Sequence, residues 1–484
     1  VTDLPQKIDI DNELLIKVGK IADEAGFEVY VVGGYVRDFF LGRHRSDFDI
    51  TVVGDPLNFA KVLEKKFNSK IVIFENFRTA MIPVDGQLIE VVGTRKEEYL
   101  PDSRKPVVSE GKLYDDIARR DFTVNTLAAS LNIAKFGEVV DYFNGLADLE
   151  SKVLKTPLDP HTTYSDDPLR MMRAARFASQ LNFELVAESI QAIKEMRSRI
   201  AIISQERISA EFLKILQSEK PSVGLMILKE TGLMEIIFPE FDALSGVDIR
   251  ETEGQVYGHK DVFLHTLKVV DNISVYTDNV WLRFAALMHD IAKPRTKKYI
   301  KGIGWTFHGH EEIGARMQKK IFHRMKLPVD ALKYVEKLVR LHQRPMVLAG
   351  DDVSDSAIRR LAANAGEHLE DLLILCKADI TTKNANKSEK YFKNYEDVFR
   401  RVLEVQEKDK LREFQSPVKG EEIMQICQLQ PSRLVGFLKS KIEDAILEGF
   451  IPNEYFNSKA YFLENKDTWI EEFRINPNWR STHQ

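Results

Sequence analysis

The chain has 484 residues, of which 44% are apolar and 30% charged, and a formal net charge of −5. This is the composition of a globular protein of about three domains, at roughly 150 residues each. No apolar run approaches the roughly 20 residues that a membrane-spanning helix needs, so no such helix is expected. The acidic balance argues against a tight, nonspecific nucleic-acid binder, although a local basic stripe would count for more than the total. Val1 to Asp11 is polar and acidic, unlike a secretory leader. Cys376 and Cys427 are too few and too far apart for a disulfide framework, which points to a reducing, cytoplasmic setting.

Residues 1 to about 145 mix strand and helix signals. Glu28 to Val32 is apolar and β-branched and reads as a buried strand. Gly33-Gly34 ends it in a tight turn where backbone N–H groups can approach a ligand. Tyr35 to Leu41 reads as a short helix whose start favours an anion. Phe48 to Val53 reads as the next strand. Residues two apart on a strand share a face, so Asp47 and Asp49 can share one or two divalent cations, as phosphoryl or nucleotidyl transfer requires. A glycine turn beside a solvated acidic turn is the plainer reading. Strand, Gly-Gly, Arg37-Asp38 and Asp-x-Asp in one ordered block outweigh it.

Further strands are expected at Lys70–Phe74, Thr79–Val84 and Leu88–Val92, the last carrying Glu90. Glutamate on a strand is commonly solvated; here it is also a candidate third carboxylate or base. Thr94 to Asp116, with Arg95, Arg104, Lys105 and Lys112, reads as a long charged loop. In Arg119 to Asn125, Asp121 reads as a helix N-cap and Arg119 as a solvated face. Yet a triphosphate needs guanidinium and a ribose needs a hydrogen-bonding acid.

Beyond Lys152 strand signals nearly vanish, and amphipathic helical patterns such as Leu169–Phe177 and Glu206–Gln217 take over. Ser165 to Phe177 begins as a well-capped helix should. It also sets Asp167, Arg170 and Arg173 at helical spacing, with Arg176 a further turn on. A carboxylate can accept from an exocyclic amine and a guanidinium can donate to ring N and O atoms, which makes a protein surface that can read a base. Ser204 and Arg207 read as a cap and a surface charge. Seams are expected near 242–252 and 383–388.

Seven of the eleven histidines fall between His259 and His342. His289-Asp290 follows the apolar helical run Trp281 to Met288, with His265 upstream and Asp379 downstream. Histidine and carboxylate suit a transition metal, Mn²⁺ or Mg²⁺. Folding-only histidines are the alternative. From Pro417 to Phe462 the pattern is helical again. Lys439, Lys441 and the Lys408-to-Arg412 cluster can meet phosphates, although the acids among them fit a solvated helix equally well.

The Gly-Gly/Asp-x-Asp block, Arg119 to Asn125 and Ser165 to Phe177 together resemble the class II tRNA nucleotidyltransferase and bacterial poly(A) polymerase family. The resemblance implies an α+β, polymerase-β-like head with a mixed sheet, followed by an all-α body. It implies Mg²⁺ on Asp47 and Asp49, with Gly33, Gly34 and Arg37 at the nucleotide phosphates. Arg120 and Asp121 would touch the incoming nucleotide, supported by Asn125. Asp167 and Arg170 would read the base, CTP first and then ATP, with Arg173 and Arg176 also binding the nucleotide; Asp166 stands where the family usually has Glu. The charged loop would help remodel the site between nucleotides.

The histidine region resembles the metal-dependent HD phosphohydrolases, including the stretch His308 to Glu311. That resemblance implies a second divalent metal on His265, His289, Asp290 and Asp379, with His310 and His342 at a second ion or a substrate phosphate. Pro417 to Phe462 resembles the helical tail of many tRNA nucleotidyltransferases, with Pro431-Ser432 in place of the usual Gly-Pro turn. The expected organisation is a head (1–145), a helical neck (146–245), an HD domain (246–385) and an RNA-binding helical tail (386–484). The expected activity is CCA addition to the tRNA 3′ end from CTP and ATP, with possible HD phosphodiesterase or phosphatase activity. Poly(A) polymerase, CC-only or A-only addition, an HD hydrolase with a vestigial head, and a noncatalytic RNA binder are the competing readings.

Overall fold

The computed structural model describes residues 4–43, 48–75, 78–98, 107–247, 249–252, 255–258, 261–301, 304–348, 354–381, 385–409 and 416–475. The chain divides into two compact units, Val1–Asp242 and Ala243–Gln484. Asp47, Arg104, Lys105 and His259 lie outside the described residues, as do the side chains of Lys408 to Arg412.

The first unit is built on a seven-stranded mixed sheet. Its strands are β1 (Glu28–Val32), β2 (Phe48–Val53), β3 (Val72–Phe74), β4 (Thr79–Val84) and β5 (Gln87–Gly93), joined by Ala128–Ser130 and Val139–Val140. β2 lies between β1, antiparallel to it, and β5, parallel to it. Val29, Val31, Val32, Ile50, Val52, Ile89 and Val91 are buried in the sheet core, as the β-branched runs require. β3 is shorter than its apolar run because it is the sheet edge, where Val72 and Phe74 remain exposed. Before the sheet comes α1 (Glu13–Ala25), capped by the Asn12 side chain, which accepts from the Leu14 and Leu15 N–H groups. Two further helices attach to the sheet, α2 (Gly34–Phe40) and α3 (Pro56–Phe67).

The expected charged loop carries a helix and a strand pair, one strand on either side of residues 99–106, which lie outside the described residues. Arg95–Glu98 pairs antiparallel with Val107–Glu110, and α4 (Leu113–Ala118) follows. Charge patterning misleads at the start of this segment, where Glu97 lies 2.8 Å from Arg95 and 3.3 Å from Arg119. Strands do recur after Lys152, as short pairs such as Val153–Leu154 with Glu184–Leu185 and Lys298–Ile300 with Gly304–Thr306. They are too brief for periodicity to reveal.

α5 (Gly145–Glu150), α6 (Pro160–Asp166) and α7 (Leu169–Leu181) begin the helical part. α7 packs against helices Gln205–Leu216 and Pro221–Glu230. Gly224 permits the close approach, since a Cβ there would meet the Ala175 carbonyl oxygen at 2.6 Å.

The second unit is mainly helical. Helices Val262–Ser274, Val280–Met288, His310–Arg324, Leu332–Leu341 and Leu369–Asp379 surround a core that includes Phe284, Leu338 and Leu372. Helices Gly420–Cys427, Arg433–Leu447 and Tyr455–Ile475 enclose Ile423, Leu438, Phe462 and Trp469. Two of the lysines expected to meet phosphates have acidic partners, Lys439 with Glu443 and Lys441 with Glu472. Among the described residues no helix is long and apolar enough to cross a membrane.

Candidate active site and candidate metal centre

The parallel register of β2 and β5 sets Asp49 directly beside Glu90. Asp49 is the one exposed residue in a strand otherwise buried or nearly so. Glu90 is half-buried, and its carboxyl is raised above the ordinary range by burial and then by the charge of Asp49, with Arg95 opposing. A carboxylate raised by burial and by a neighbouring acid fits a cation between the two. Asp47 cannot be placed relative to the pair, since it lies outside the described residues.

Behind this pair, Gly33 turns the chain with φ 66° and ψ −115°, a conformation closed to residues with a Cβ. A Cβ there would also come within 2.8 Å of Arg120 Nη1. Gly33 and the Arg120 guanidinium therefore form one surface. Gly33→Ala should cost about 1–3 kcal/mol in stability and raise KM for the nucleotide by displacing Arg120; thermal melting and single-nucleotide extension kinetics check both.

The other predicted nucleotide residues meet in a buried charge cluster. Arg37 grips Asp38 through Nε and Nη2 at 2.7 and 3.0 Å and donates from Nη1 to Asn125 Oδ1 at 2.6 Å. Asn125 donates in turn to Asp121, which also accepts from Arg173 Nε at 2.7 Å. Arg176 lies 2.9 Å from Glu211. The guanidiniums of Arg37, Arg173 and Arg176 all lie over the Phe177 ring, at 5.4, 5.3 and 4.3 Å. Three cations can crowd one ring because each has its own acid. Burial, and next the charge of Arg173, draws Arg176 down to about 10.

Asp121 caps no α-helix. It accepts from the Phe122 N–H before the single 3₁₀ turn Thr123–Asn125, and Arg119 is paired with Asp116 and Glu97 rather than solvated. Burial pushes the Asp121 carboxyl up, but Arg173 and Asn125 outweigh it and hold it at about 2. A depressed carboxyl contributes stability that is present above its unfolded value near 4 and lost as pH falls through 2. The shift corresponds to about 2 kcal/mol. Urea midpoints of the wild type and Asp121→Asn should therefore lie apart at pH 6, draw together below pH 4 and converge only towards pH 2.

Asp167 sits in the extended link between α6 and α7. Its Oδ1 accepts from the Leu169 N–H, and its Oδ2 lies 3.5 Å from Arg207. Arg170 is buried and donates to the carbonyl oxygens of Thr163 and Arg119. The pair is thus adjacent but engaged with the protein. Reading the sequence missed the partners Asp38, Arg207 and Glu211. Only Asp38, next to Arg37 in the first block, carried a signal.

In the second unit the sequence-predicted ligands converge. Donor atoms of His265, His289 and Asp379 lie within 4.8 Å of one another, as do those of Asp290, His310 and His342. Asp290 links the two groups, with Oδ2 3.1 Å from His289 Nε2 and Oδ1 3.2 Å from His310 Nε2. His289, His310 and His342 each direct Nδ1 at the carbonyl three residues earlier, at 2.6, 2.8 and 2.7 Å. Those carbonyls fix the proton on Nδ1 and leave Nε2 as the ligand atom. His289 Nε2 is buried and, among the described residues, outside hydrogen-bonding geometry with any group. Burial pulls His289 down, yet Asp290 and Asp379 hold it up at about 9. A buried lone pair facing two carboxylates calls for a proton or a metal ion, so the donor set fits a divalent cation. Lys293, 2.7 Å from Asp290 Oδ2, and Thr381 Oγ1, 2.9 Å from His265 Nδ1, complete the surroundings.

These features define a polymerase-head α+β domain with a helical extension, and a helical domain carrying a two-group histidine–aspartate ligand set. Family models match in the same order: the poly A polymerase head domain over residues 29–155, the probable RNA and SrmB-binding site of polymerase A over 182–244, and the HD domain over 262–384. The chain is 31% identical over 363 residues to an A-adding tRNA nucleotidyltransferase of Deinococcus radiodurans, covering 72% of this chain and 75% of that one. It is 37% identical over 234 residues to a CCA-adding enzyme of Pediococcus pentosaceus, covering 48% of this chain. It spans only 56% of that relative's length. The fold matches the crystal structure of the Bacillus stearothermophilus CCA-adding enzyme in complex with CTP, with a TM-score of 0.67, 22% identity and 94% and 98% of the two chains covered. The chain belongs to the tRNA nucleotidyltransferase and poly(A) polymerase family.

Proposed function

We propose that the protein adds CCA to the 3′ end of tRNA, using CTP and ATP. The observation that carries this reading is the register that pairs Asp49 with Glu90 beside the Gly33–Arg120 surface. Asp49, with Asp47, would hold Mg²⁺ in the head. When bound, that metal lowers the pKa of the RNA 3′-hydroxyl and offsets charge on the triphosphate. Glu90, raised by burial and by Asp49, is suited to accept the hydroxyl proton. Arg120 would bind the phosphates. Arg37, Arg173 and Arg176, held by Asp38, Asp121 and Glu211, would position the wall of the nucleotide site around Phe177.

Asp167 and Arg170 would read the base after exchanging their protein partners for it. Arg170→Ala should abolish the preference between CTP and ATP at the successive positions. Unchanged selectivity in competition assays would remove that role. We assign residues 1–145 to the head, 146–245 to the neck, 246–385 to the HD domain and 386–484 to an RNA-binding tail. The HD residues would hold one or two further divalent ions and hydrolyse a phosphoester, such as a 2′,3′-cyclic phosphate.

A-only addition is the second reading, favoured by the likeness to the A-adding Deinococcus enzyme. Extension of a tRNA transcript lacking CCA, resolved at single nucleotides, tests both. CC from CTP alone, then one A once ATP is supplied, supports CCA addition. Extension only of a transcript already ending in CC supports A-only addition, and a long A ladder would make the protein a poly(A) polymerase.

A further inference from the structure

We propose that the cavity beside the histidine–aspartate group is a nucleoside-phosphate pocket in which Trp305 is the stacking platform for the base; the proposal rests on the hydrolase reading of that group. The cavity has a volume of about 360 Å³, within the range of small-ligand sites. His310, a member of the ligand set, lines it together with Lys293, His308, Gln343, Trp305 and one acid, Glu311. One lining therefore combines groups that suit a phosphate with an aromatic ring that suits a base.

Trp305 is placed unlike a core tryptophan. Trp281 packs among Phe284 and Phe322 at 6.1 and 5.9 Å. Trp305 stands on the short hairpin Lys298–Ile300/Gly304–Thr306, directly opposite Tyr299, and is 36% exposed. Tyr299 braces its ring edge-on at 5.4 Å, and Lys297 Nζ lies 4.2 Å from the ring centroid. This is a large ring held by an aromatic and a cation that still contributes to the cavity lining. Stacking accepts any base, because each has a π-face. Lys293 already contacts Asp290 at 2.7 Å, so the phosphate end of such a ligand would meet the lysine and His310 together. Gln343, whose Nε2 lies 3.2 Å from His310 Nε2, ties the lining to the ligand set. The ligand class is a ribonucleotide phosphoester, either a free nucleotide or the end of an RNA chain.

The test is calorimetric binding to the full-length chain in chelator, where turnover cannot intrude. The probes are adenosine and cytidine 2′,3′-cyclic monophosphate, a short oligoribonucleotide ending in a 2′,3′-cyclic phosphate, and ribose 5-phosphate. The nucleosides should bind about tenfold or more tighter than the base-free sugar phosphate. Trp305→Ala should erase that difference and Trp305→Phe should retain most of it. Preference for the free nucleotide or for the oligonucleotide identifies the source. Equal binding of nucleoside and sugar phosphate, or a preference that survives Trp305→Ala, overturns the proposal. Metal-dependent hydrolysis of glycerol phosphate without any base preference would leave the hydrolase reading standing and remove this one. Base preference lost in Trp305→Ala, with no hydrolysis of any ester, would do the reverse.

Discussion

Asp49→Ala is expected to lower nucleotide addition by about 10³-fold or more, the scale on which removal of one transition-state-stabilising group acts. The folded chain should barely notice. Asp49 is exposed on a strand whose other residues are buried or half-buried, so alanine deletes charge and no packing. Substitutions of that kind usually stay within about 0.5 kcal/mol. The same change releases Glu90 from its neighbour's field, so the Glu90 carboxyl should move down towards its ordinary value. Asp49→Asn separates charge from shape, and both variants should fail together. Single-turnover extension with CTP, alongside thermal melting, checks the pair. Addition within tenfold of wild type in either variant would mean that the metal is held elsewhere.

The sequence made this site legible where chemistry and periodicity coincide. Glu28–Val32 and Phe48–Val53 are strands in the structure with the limits read from their apolar runs. What one strand cannot reveal is its neighbour: that Glu90 lies opposite Asp49 depends on a parallel register between segments some forty residues apart. The arginines were equally opaque. Arg37, Arg173 and Arg176 all read as nucleotide-binding residues, but each is matched to an acid supplied by another part of the fold or by its neighbour, and all three share one phenylalanine. Thr94 to Asp116 read as a loop because it is rich in charge, whereas Arg95 at its start is paired with Glu97 on a strand. The histidine cluster was the most legible feature, because metal-ligand residue types seldom converge without reason. Its division into two groups sharing Asp290 needed coordinates.

Asp290 is the residue whose removal should most change the second unit. Its two oxygens face different histidines, so Asp290→Asn weakens both ligand groups at once. In the metal-free protein it also sustains His289, which Asp290 and Asp379 hold at about 9 against burial, while burial and then His289 press His342 down to about 4. At pH 7 His289 is therefore protonated and His342 neutral. Binding a cation must displace the His289 proton, so affinity should rise about tenfold per pH unit from 7 towards 9 and level above it. Calorimetry in buffers of different ionisation enthalpy should record close to one proton released at pH 7. In Asp290→Asn the strongest carboxylate partner of His289 is gone, His289 falls towards neutrality, and the proton count should drop along with metal content. Leaving the buried His289 and the half-buried Lys293 without their shared carboxylate should also cost about 3 kcal/mol of metal-free stability, read from urea unfolding in chelator. Full metal content with wild-type proton release in the variant would show that Asp290 bridges nothing. A loss of stability without loss of metal would reduce it to a structural partner of Lys293.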